Sequence, residues 1–139
     1  MVRFPRLGTK RNSEGNGMSR FEAELRAEIE ANGIIGTHKT EKIPYSKDHV
    51  YIPDFQLPNG VIIEAKGYFP PEDRSKMLAV KNCNPDKDIR LVFLSPNSKL
   101  NKDSKTTYAQ WAEKNGFQWA SKHIPIEWLY EKKEMNTTA

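Results

Sequence analysis

Two acids and a lysine near the middle of the chain have the types and spacing needed to hold a cation beside a phosphate. Asp54 and Glu64 are separated by a nine-residue gap, and Lys66 follows Glu64 after one residue. Carboxylate oxygens bind hard divalent ions, Mg²⁺ above all. A neighbouring lysine can offer positive charge to a phosphate, or help to orient or deprotonate a water. This chemistry requires a fold that brings the three side chains together.

The segment that joins the two acids predicts a β-hairpin. Residues 50–57 and 61–66 are runs rich in β-branched and aromatic residues, and Pro58-Asn59-Gly60 lies between them. Its proline and asparagine suit the middle of a type I turn, and its glycine suits the left-handed position that follows. The sequence therefore predicts a three-residue loop with a bulge at the glycine.

The length of this loop decides where the acids point. A three-residue loop places Asp54 directly opposite Glu64, with their Cβ atoms roughly 5 Å apart, and Lys66 shares that face by the two-residue period. A two-residue type I′ turn would place Asp54 opposite Ala65 and split the site across the sheet. A further alternative is an exposed sheet face of alternating charge, on which Glu64 and Lys66 form a surface ion pair.

Composition limits the class of protein. A chain of 139 residues, 37% hydrophobic and 29% charged, suits one soluble globular domain, and no apolar run approaches the ~20 residues of a membrane span. Residues 1–10 lack the apolar core of a secretory signal. Cys83 is the only cysteine, so we expect a reduced intracellular protein whose metal, if any, is bound by oxygen or imidazole.

Residues 1–18 predict a flexible basic arm. The chain has 22 Lys and Arg against 18 Asp and Glu, which gives a net charge of +4, and the excess is concentrated near this end among Gly and Asn residues. Such an excess favours a polyanionic partner. A solvated tail that only aids solubility explains the charge of the arm equally well.

The other segments predict an α/β fold in which a small mixed sheet is flanked by helices. Helices are predicted over residues 19–32, 71–83 and 106–115, and further strands over 37–45 and 89–94. The strand over 89–94 is nearly all apolar, as in strands buried on both faces. Strand, helix and strand between residues 61 and 94 predict a crossover that joins parallel neighbours. The apolar tail beyond Gly116 is expected to pack back on the sheet.

The histidines and tryptophans stay outside the predicted site. No ligand spacing relates the three histidines, His38, His49 and His123. Stacking on exposed bases is one alternative for the tryptophans, but their helix and tail positions favour core packing of Trp111, Trp119 and Trp128.

Longer stretches around the acids resemble a known nuclease family. Pro53-Asp54 followed by Glu64-Ala65-Lys66 is similar to the PD-(D/E)XK nuclease signature. A more specific set of stretches resembles endonuclease I, the Holliday-junction resolvase family of T-seven-type short-tailed phages. These stretches are 49–55, 57–60, 64–67, 88–93 and 124–128, and the resemblance covers roughly residues 19–131.

The resemblance implies a fold, an activity and partners. The fold is a restriction-endonuclease-like mixed sheet flanked by helices, in an intertwined, domain-swapped homodimer. The activity is hydrolysis of phosphodiesters in four-way junctions and other branched DNA, with one or two Mg²⁺ or Mn²⁺ ions per site and no nucleotide cofactor. The chain then divides into an arm (1–18), a nuclease domain (19–131) and a tail (132–139), working in the cytoplasm of an infected bacterium. Rival readings are a restriction- or transposon-type nuclease of the same fold and a junction-binding protein without catalysis.

The resemblance also assigns roles to residues. It makes Asp54, Glu64, the backbone carbonyl of Ala65 and Glu22 the metal ligands, and it makes Lys66 the catalytic lysine. Glu22 has a competing role, because Ser19 followed by an acid three residues later is a capping box; Glu24 is the alternative ligand if the helix register differs. Charge and position suggest DNA contacts for Arg3, Arg6, Lys10, Arg11, Arg20, Lys66, Lys99, Lys102 and Lys105.

Overall fold

The computed structural model describes residues 19–39, 41–46 and 49–132. The predicted basic arm, with Arg3, Arg6, Lys10 and Arg11, lies outside the described residues, as does the tail from residue 133. The helices are α1 (Arg20–Ala31), α2 (Pro71–Cys83), α3 (Tyr108–Lys114) and α4 (Ile126–Tyr130). The strands are β1 (Thr37–His38), β2 (Ile43–Ser46), β3 (His49–Tyr51), β4 (Phe55–Gln56), β5 (Val61–Lys66), β6 (Asp88–Phe93) and β7 (Gln118–Ser121). In the part of the chain that the structure describes, no helix combines the length and the apolar run that a membrane crossing needs.

Five strands form a mixed sheet in the order β1-β4-β5-β6-β7. β5, β6 and β7 are parallel neighbours, and β1 and β4 add antiparallel pairs on the other side. β2 and β3 pair only with each other as a small antiparallel ribbon. The mixed sheet flanked by helices is therefore confirmed, as is the parallel pairing of the strands on either side of α2.

Apolar side chains cover both faces of the sheet. Ile62 and Leu91 contribute to one core cluster, with side chains from α2, α3 and the ribbon. Ile63 and Val92 contribute to the other, with side chains from α1 and α4. This arrangement confirms that β6 is buried on both faces and explains its apolar sequence. The tail beyond Gly116 supplies β7 and α4, so its packing against the sheet is also confirmed.

The hairpin between β4 and β5 has the predicted three-residue loop. The amide of Leu57 donates to the carbonyl of Val61 at 2.8 Å, and Phe55 lies opposite Ile63. Gly60 has a φ of +92°, in the left-handed region that side chains rarely adopt. The alternative type I′ register, which would split the site, is therefore wrong.

One prediction for this hairpin needs correction. Residues 50–57 do not form one continuous strand, because β3 pairs with β2 and the chain bends before β4 begins. Pro53 lies at this interruption and cannot donate a hydrogen bond to a ladder. Asp54 consequently lies just outside the strand, and its side chain accepts a hydrogen bond from the amide of Ala65 at 2.9 Å. The acid still faces β5, but through its carboxylate and not through strand pairing.

The left-handed glycine gives a first prediction. Gly60→Ala places a Cβ in open space but forces alanine into an unfavourable φ. We expect a loss of about 1 kcal/mol or more in the free energy of unfolding, measured by urea denaturation. Gly67→Ala is the matched control, since its added Cβ meets only Leu94 Cδ2 at 4.0 Å and its φ lies outside that region. Equal stability of the two variants would contradict the role of Gly60 in the loop.

Candidate active site

The three predicted acids come together from three separate elements. Glu22 lies in the first turn of α1, Asp54 precedes β4, and Glu64 lies in β5. Asp54 is only 3% exposed and Glu64 only 8%. The alternative of a solvated sheet face with alternating charge is therefore wrong, because these two carboxylates are shielded from solvent. Buried carboxylates need specific partners.

Both carboxylate oxygens of Asp54 accept hydrogen bonds. Oδ1 accepts a hydrogen bond from the ammonium of Lys39 at 2.7 Å, and Oδ2 accepts one from the amide of Ala65. Within a strand the amide and carbonyl of one residue point to the same edge, so the carbonyl of Ala65 also points towards this side. The predicted use of that carbonyl as a ligand is consistent with its direction.

Glu22 takes part in two structures at once. Its Oε1 accepts from the amide of Ser19 at 3.1 Å and completes the capping box of α1. Its Oε2 lies 3.2 Å from the ammonium of Lys39. The two readings of Glu22 are therefore compatible. Glu24 lies away from the cluster, where it pairs with Arg20 at 3.5 Å on an exposed face.

Glu64 lies between a hydroxyl and a second lysine. The hydroxyl of Tyr51 donates to Oε1 at 2.7 Å, and the ammonium of Lys66 lies 3.4 Å from Oε2. Lys66 also donates to Asp73 in the first turn of α2 at 3.0 Å. The predicted sharing of one face by Glu64 and Lys66 is confirmed.

Burial and mutual repulsion give the three acids different pKa values. Burial, with a hydrogen bond to Asp54 and the charge of that acid, raises the pKa of Glu22 to about 8. Burial and the same charge raise the pKa of Glu64 to about 6. Burial also acts to raise the pKa of Asp54, but the hydrogen bond from Glu22 and the ammonium of Lys39 hold it below its usual value. Asp54 is therefore the most persistent negative charge of the three.

The donors around the acids stay protonated. Burial disfavours the charged forms of Lys39 and Lys66, but the neighbouring carboxylates outweigh it and hold both pKa values above the usual lysine value. Burial and the charge of Glu64 raise the pKa of Tyr51 well above its usual value. The site thus presents two ammonium groups and a hydroxyl donor to its acids.

The carboxylate oxygens of the site are ligands of the type that a hard cation prefers, but the three acids are not grouped around a single point. Among the described residues, no three His, Cys, Asp or Glu side chains are grouped so that they could hold one metal ion together. The acids form two subsets, Glu22 with Asp54 around Lys39, and Glu64 beside Lys66. The ammonium groups of Lys39 and Lys66 are positive charges that lie against these carboxylate oxygens. Oxygen ligands of this kind are the ones that Mg²⁺ and Mn²⁺ prefer.

Sequence reasoning missed four side chains at the site. Lys39, Tyr51, Asp73 and His38 all contact its acids or its lysine. His38 Nε2 is buried without a hydrogen-bond partner in the described structure and lies 3.9 Å from Oε1 of Glu22. Asp73 was visible only as a helix first-turn acid, and Tyr51 only as a strand residue. No local signal places Lys39 or His38 there, because the chain reaches the site through tertiary folding.

The candidate DNA contacts and the tryptophans can be placed in part. Arg20, Lys99, Lys102 and Lys105 are exposed, the last three between β6 and α3. Lys66 lies in the site itself. Core packing is confirmed for Trp111 and Trp128, which are buried, while Trp119 is partly buried and donates to Glu113 at 2.9 Å.

Comparisons with known proteins identify the family of this chain. Residues 6–138 match the family model described as phage endonuclease I. The chain is similar to endonuclease I of Escherichia phage T7, with 40% identity over 119 residues that cover 84% of this chain and 80% of the relative. It is also similar to endodeoxyribonuclease 1 of Enterobacteria phage T3, with 43% identity over 119 residues, 84% of this chain and 78% of the relative. The predicted site residues Glu22, Asp54, Glu64 and Lys66 all lie within the matched residues 6–138, and the chain belongs to the phage endonuclease I family.

Proposed function

We propose that this protein is a metal-dependent DNA endonuclease that cuts four-way junctions and other branched DNA. One observation carries the proposal: Asp54 and Glu64 are buried, the partly buried Glu22 lies with Asp54 around Lys39, and protonated Lys66 lies beside Glu64. Buried acids at such a density suit a cation site. Membership of the phage endonuclease I family supports DNA as the substrate.

In this proposal Glu22, Asp54, Glu64 and the carbonyl of Ala65 hold one or two Mg²⁺ or Mn²⁺ ions. When bound, such an ion lowers the pKa of water and neutralises charge on the phosphate oxygens. The protein's own part is to fix the acids before substrate arrives. The amide of Ala65 orients Asp54, and the capping box orients Glu22.

Lys66 has a defined part in the reaction. Because its carboxylate neighbours hold the pKa of Lys66 above the usual value, Lys66 is a cation at neutral pH. It therefore faces the scissile phosphate and stabilises the negative charge that develops as water attacks phosphorus. Asp73, 3.0 Å from its ammonium, limits the directions that the side chain can take.

Tyr51 is a positioning residue in this scheme. It is 1% exposed, and its hydroxyl donates to Oε1 of Glu64 at 2.7 Å. A donor so placed stabilises the charged form of Glu64 and leaves Oε2 to face the site.

The choice of branched DNA and of a homodimer rests on the family resemblance and on symmetry. Two symmetric cuts in one junction need two active sites, which a dimer supplies. Val50 and Ile52, 48% and 42% exposed, provide apolar surface near the ribbon that a second copy would cover. The relatives belong to bacteriophages, so we place the activity in the cytoplasm of an infected bacterium.

Cleavage of a labelled four-way junction tests this function directly. With Mg²⁺ we expect two symmetric nicks near the branch, no nicks in EDTA, and much weaker cutting of a linear duplex of the same sequence. Glu64→Gln should slow cutting by about 10²–10³-fold while junction binding in EDTA persists. The protein should sediment at twice the monomer mass.

The other outcomes of this assay separate the rivals. Equal cutting of duplex and junction would favour a restriction-type nuclease. Binding without cutting by the wild type would identify a junction-binding protein. Cutting by Glu64→Gln at the wild-type rate would remove Glu64 from the site.

Two neighbouring glutamates on α1 provide a matched pair of variants. Glu22→Gln keeps the capping box, since Gln also caps at this position, but turns the proposed metal-binding carboxylate into an amide. We expect it to slow junction cutting by at least roughly tenfold with little change in the melting temperature. Glu24→Gln, on the exposed face, should cut as the wild type does. Equal activity of the two variants would assign Glu22 to helix capping alone.

Removal of the Tyr51 hydroxyl should change the pH dependence of cutting. The hydrogen bond from Tyr51 lowers the pKa of Glu64, so Tyr51→Phe raises that pKa further above about 6. Since the charged carboxylate is the active form, the acid limb of kcat/KM should move to higher pH. Tyr68→Phe, whose tyrosine is 74% exposed, is the control. A lower rate with an unmoved limb would reduce Tyr51 to a packing residue.

A further inference from the structure

Lys39 adopts an unusual backbone conformation directly beside the acids. Its φ is +54°, in the left-handed region that residues other than Gly, Asn and Asp seldom enter. The amide of Lys39 donates to the backbone carbonyl of Asp54 at 3.2 Å. Strain of this kind persists where surrounding contacts enforce it, and it clusters at functional sites. The backbone thus directs this lysine towards the site.

The side chain of Lys39 lies between two acids. Its ammonium is 2.7 Å from Oδ1 of Asp54 and 3.2 Å from Oε2 of Glu22. The two carboxylate side chains are only 4% and 12% exposed, whereas that of Lys39 is 39% exposed. A single positive charge therefore neutralises a nearly buried acid pair from the solvent side, and it has an open route back to solvent.

We propose that Lys39 is a built-in counter-cation that keeps the Glu22–Asp54 pair ordered without metal and must leave before a divalent ion binds there. The inference rests on the proposed metal-dependent activity and adds to it a residue that sets metal affinity. An ammonium held 2.7 Å and 3.2 Å from these two oxygens repels a divalent ion that would bind to the same pair. The lysine therefore competes with the metal from within the chain.

The second lysine of the site differs in the features that matter. Lys66 is 16% exposed and lies closer to Asp73, at 3.0 Å, than to Glu64, at 3.4 Å. Asp73 thus keeps Lys66 charged and in place when Glu64 turns to a metal. Lys39 has both of its carboxylate partners inside the acid cluster, so it alone of the two lysines must be displaced.

The competition between Lys39 and the metal should change the apparent dissociation constant of the metal. If Lys39 occupies the acid pair for about nine tenths of the time, the apparent dissociation constant of the metal is about tenfold higher than that of the open pair. Removal of the ammonium should recover that factor, and retention of a cation should not.

Calorimetric titration of Mn²⁺ into the full-length protein tests this competition. We expect Lys39→Met to bind Mn²⁺ roughly tenfold more tightly than the wild type, and Lys39→Arg to bind no more tightly than the wild type. Lys42→Met removes the same charge from an exposed lysine in the same connection and should not change the affinity. Lys39→Gln, which keeps a hydrogen-bond donor, replaces Lys39→Met if that variant does not fold.

Thermal unfolding provides a second readout that does not depend on activity. In EDTA the Lys39→Met variant should melt below the wild type, because the Glu22–Asp54 pair, with its buried aspartate, loses the ammonium that compensates its negative charge. Saturating Mn²⁺ should raise its melting temperature more than that of the wild type.

The outcomes distinguish this inference from the proposed function. Mn²⁺ binding with equal affinity to the wild type and Lys39→Met overturns the role of Lys39 and leaves a metal-dependent nuclease. Absence of Mn²⁺ binding and of cutting in every variant overturns the proposed function together with the competition. Weaker binding by Lys39→Met would make Lys39 a support for the metal and not its competitor.

Discussion

Negative charge buried at one point is the constraint on which this protein's site depends. Asp54 and Glu64 are almost fully enclosed, and Glu22 lies beside them. In a medium of low polarity such acids repel one another and favour protonation unless cations or donors compensate them. The protein meets this requirement with Lys39 after β1, the hydroxyl of Tyr51 in β3, and the amide of Ala65 and the ammonium of Lys66 at the end of β5.

The architecture supplies these partners at the carboxyl end of β5, the central strand of the sheet. The ladder between β4 and β5 stops at Phe55, and this frees the carboxylate of Asp54 to reach the amide of Ala65. The first turns of α1 and α2 approach from either side and bring Glu22 and Asp73. The two core clusters hold these elements against the sheet, so packing fixes the positions of the charged groups.

Local chemistry was sufficient to predict the central part of the site. The loop at 58–60 has a sequence with one favourable geometry, and its register could be counted residue by residue to Glu64 and Lys66. The capping box at Ser19 and the proline at the start of α2 set the helix starts in the same way. The break at Pro53 could have been anticipated from the missing donor, but the continuous apolar run outweighed it in the prediction.

Tertiary folding decided the remainder. Nothing in the sequence around Lys39 indicates that its backbone turns left-handed and faces Asp54, and the partner of Tyr51 depends on where the ribbon packs. Glu22 could be assigned a ligand role only by resemblance, because its local context explains it completely as a cap. Periodicity and turn signals do not predict which residues far apart in the sequence come into contact.

Glu22 both caps α1 and faces the acid cluster, so the order of the first turn of α1 is linked to ion binding at the site. One oxygen closes the first turn of α1 through Ser19, and the other faces the acid cluster. An ion that binds both carboxylate oxygens of Glu22 would break the hydrogen bond from the amide of Ser19. Unwinding of the first turn of α1 would in turn move Glu22 away from the acid cluster. Because such linkage is reciprocal in free energy, amide hydrogen exchange at residues 19–22 reports on the contents of the site from a position on the protein's surface.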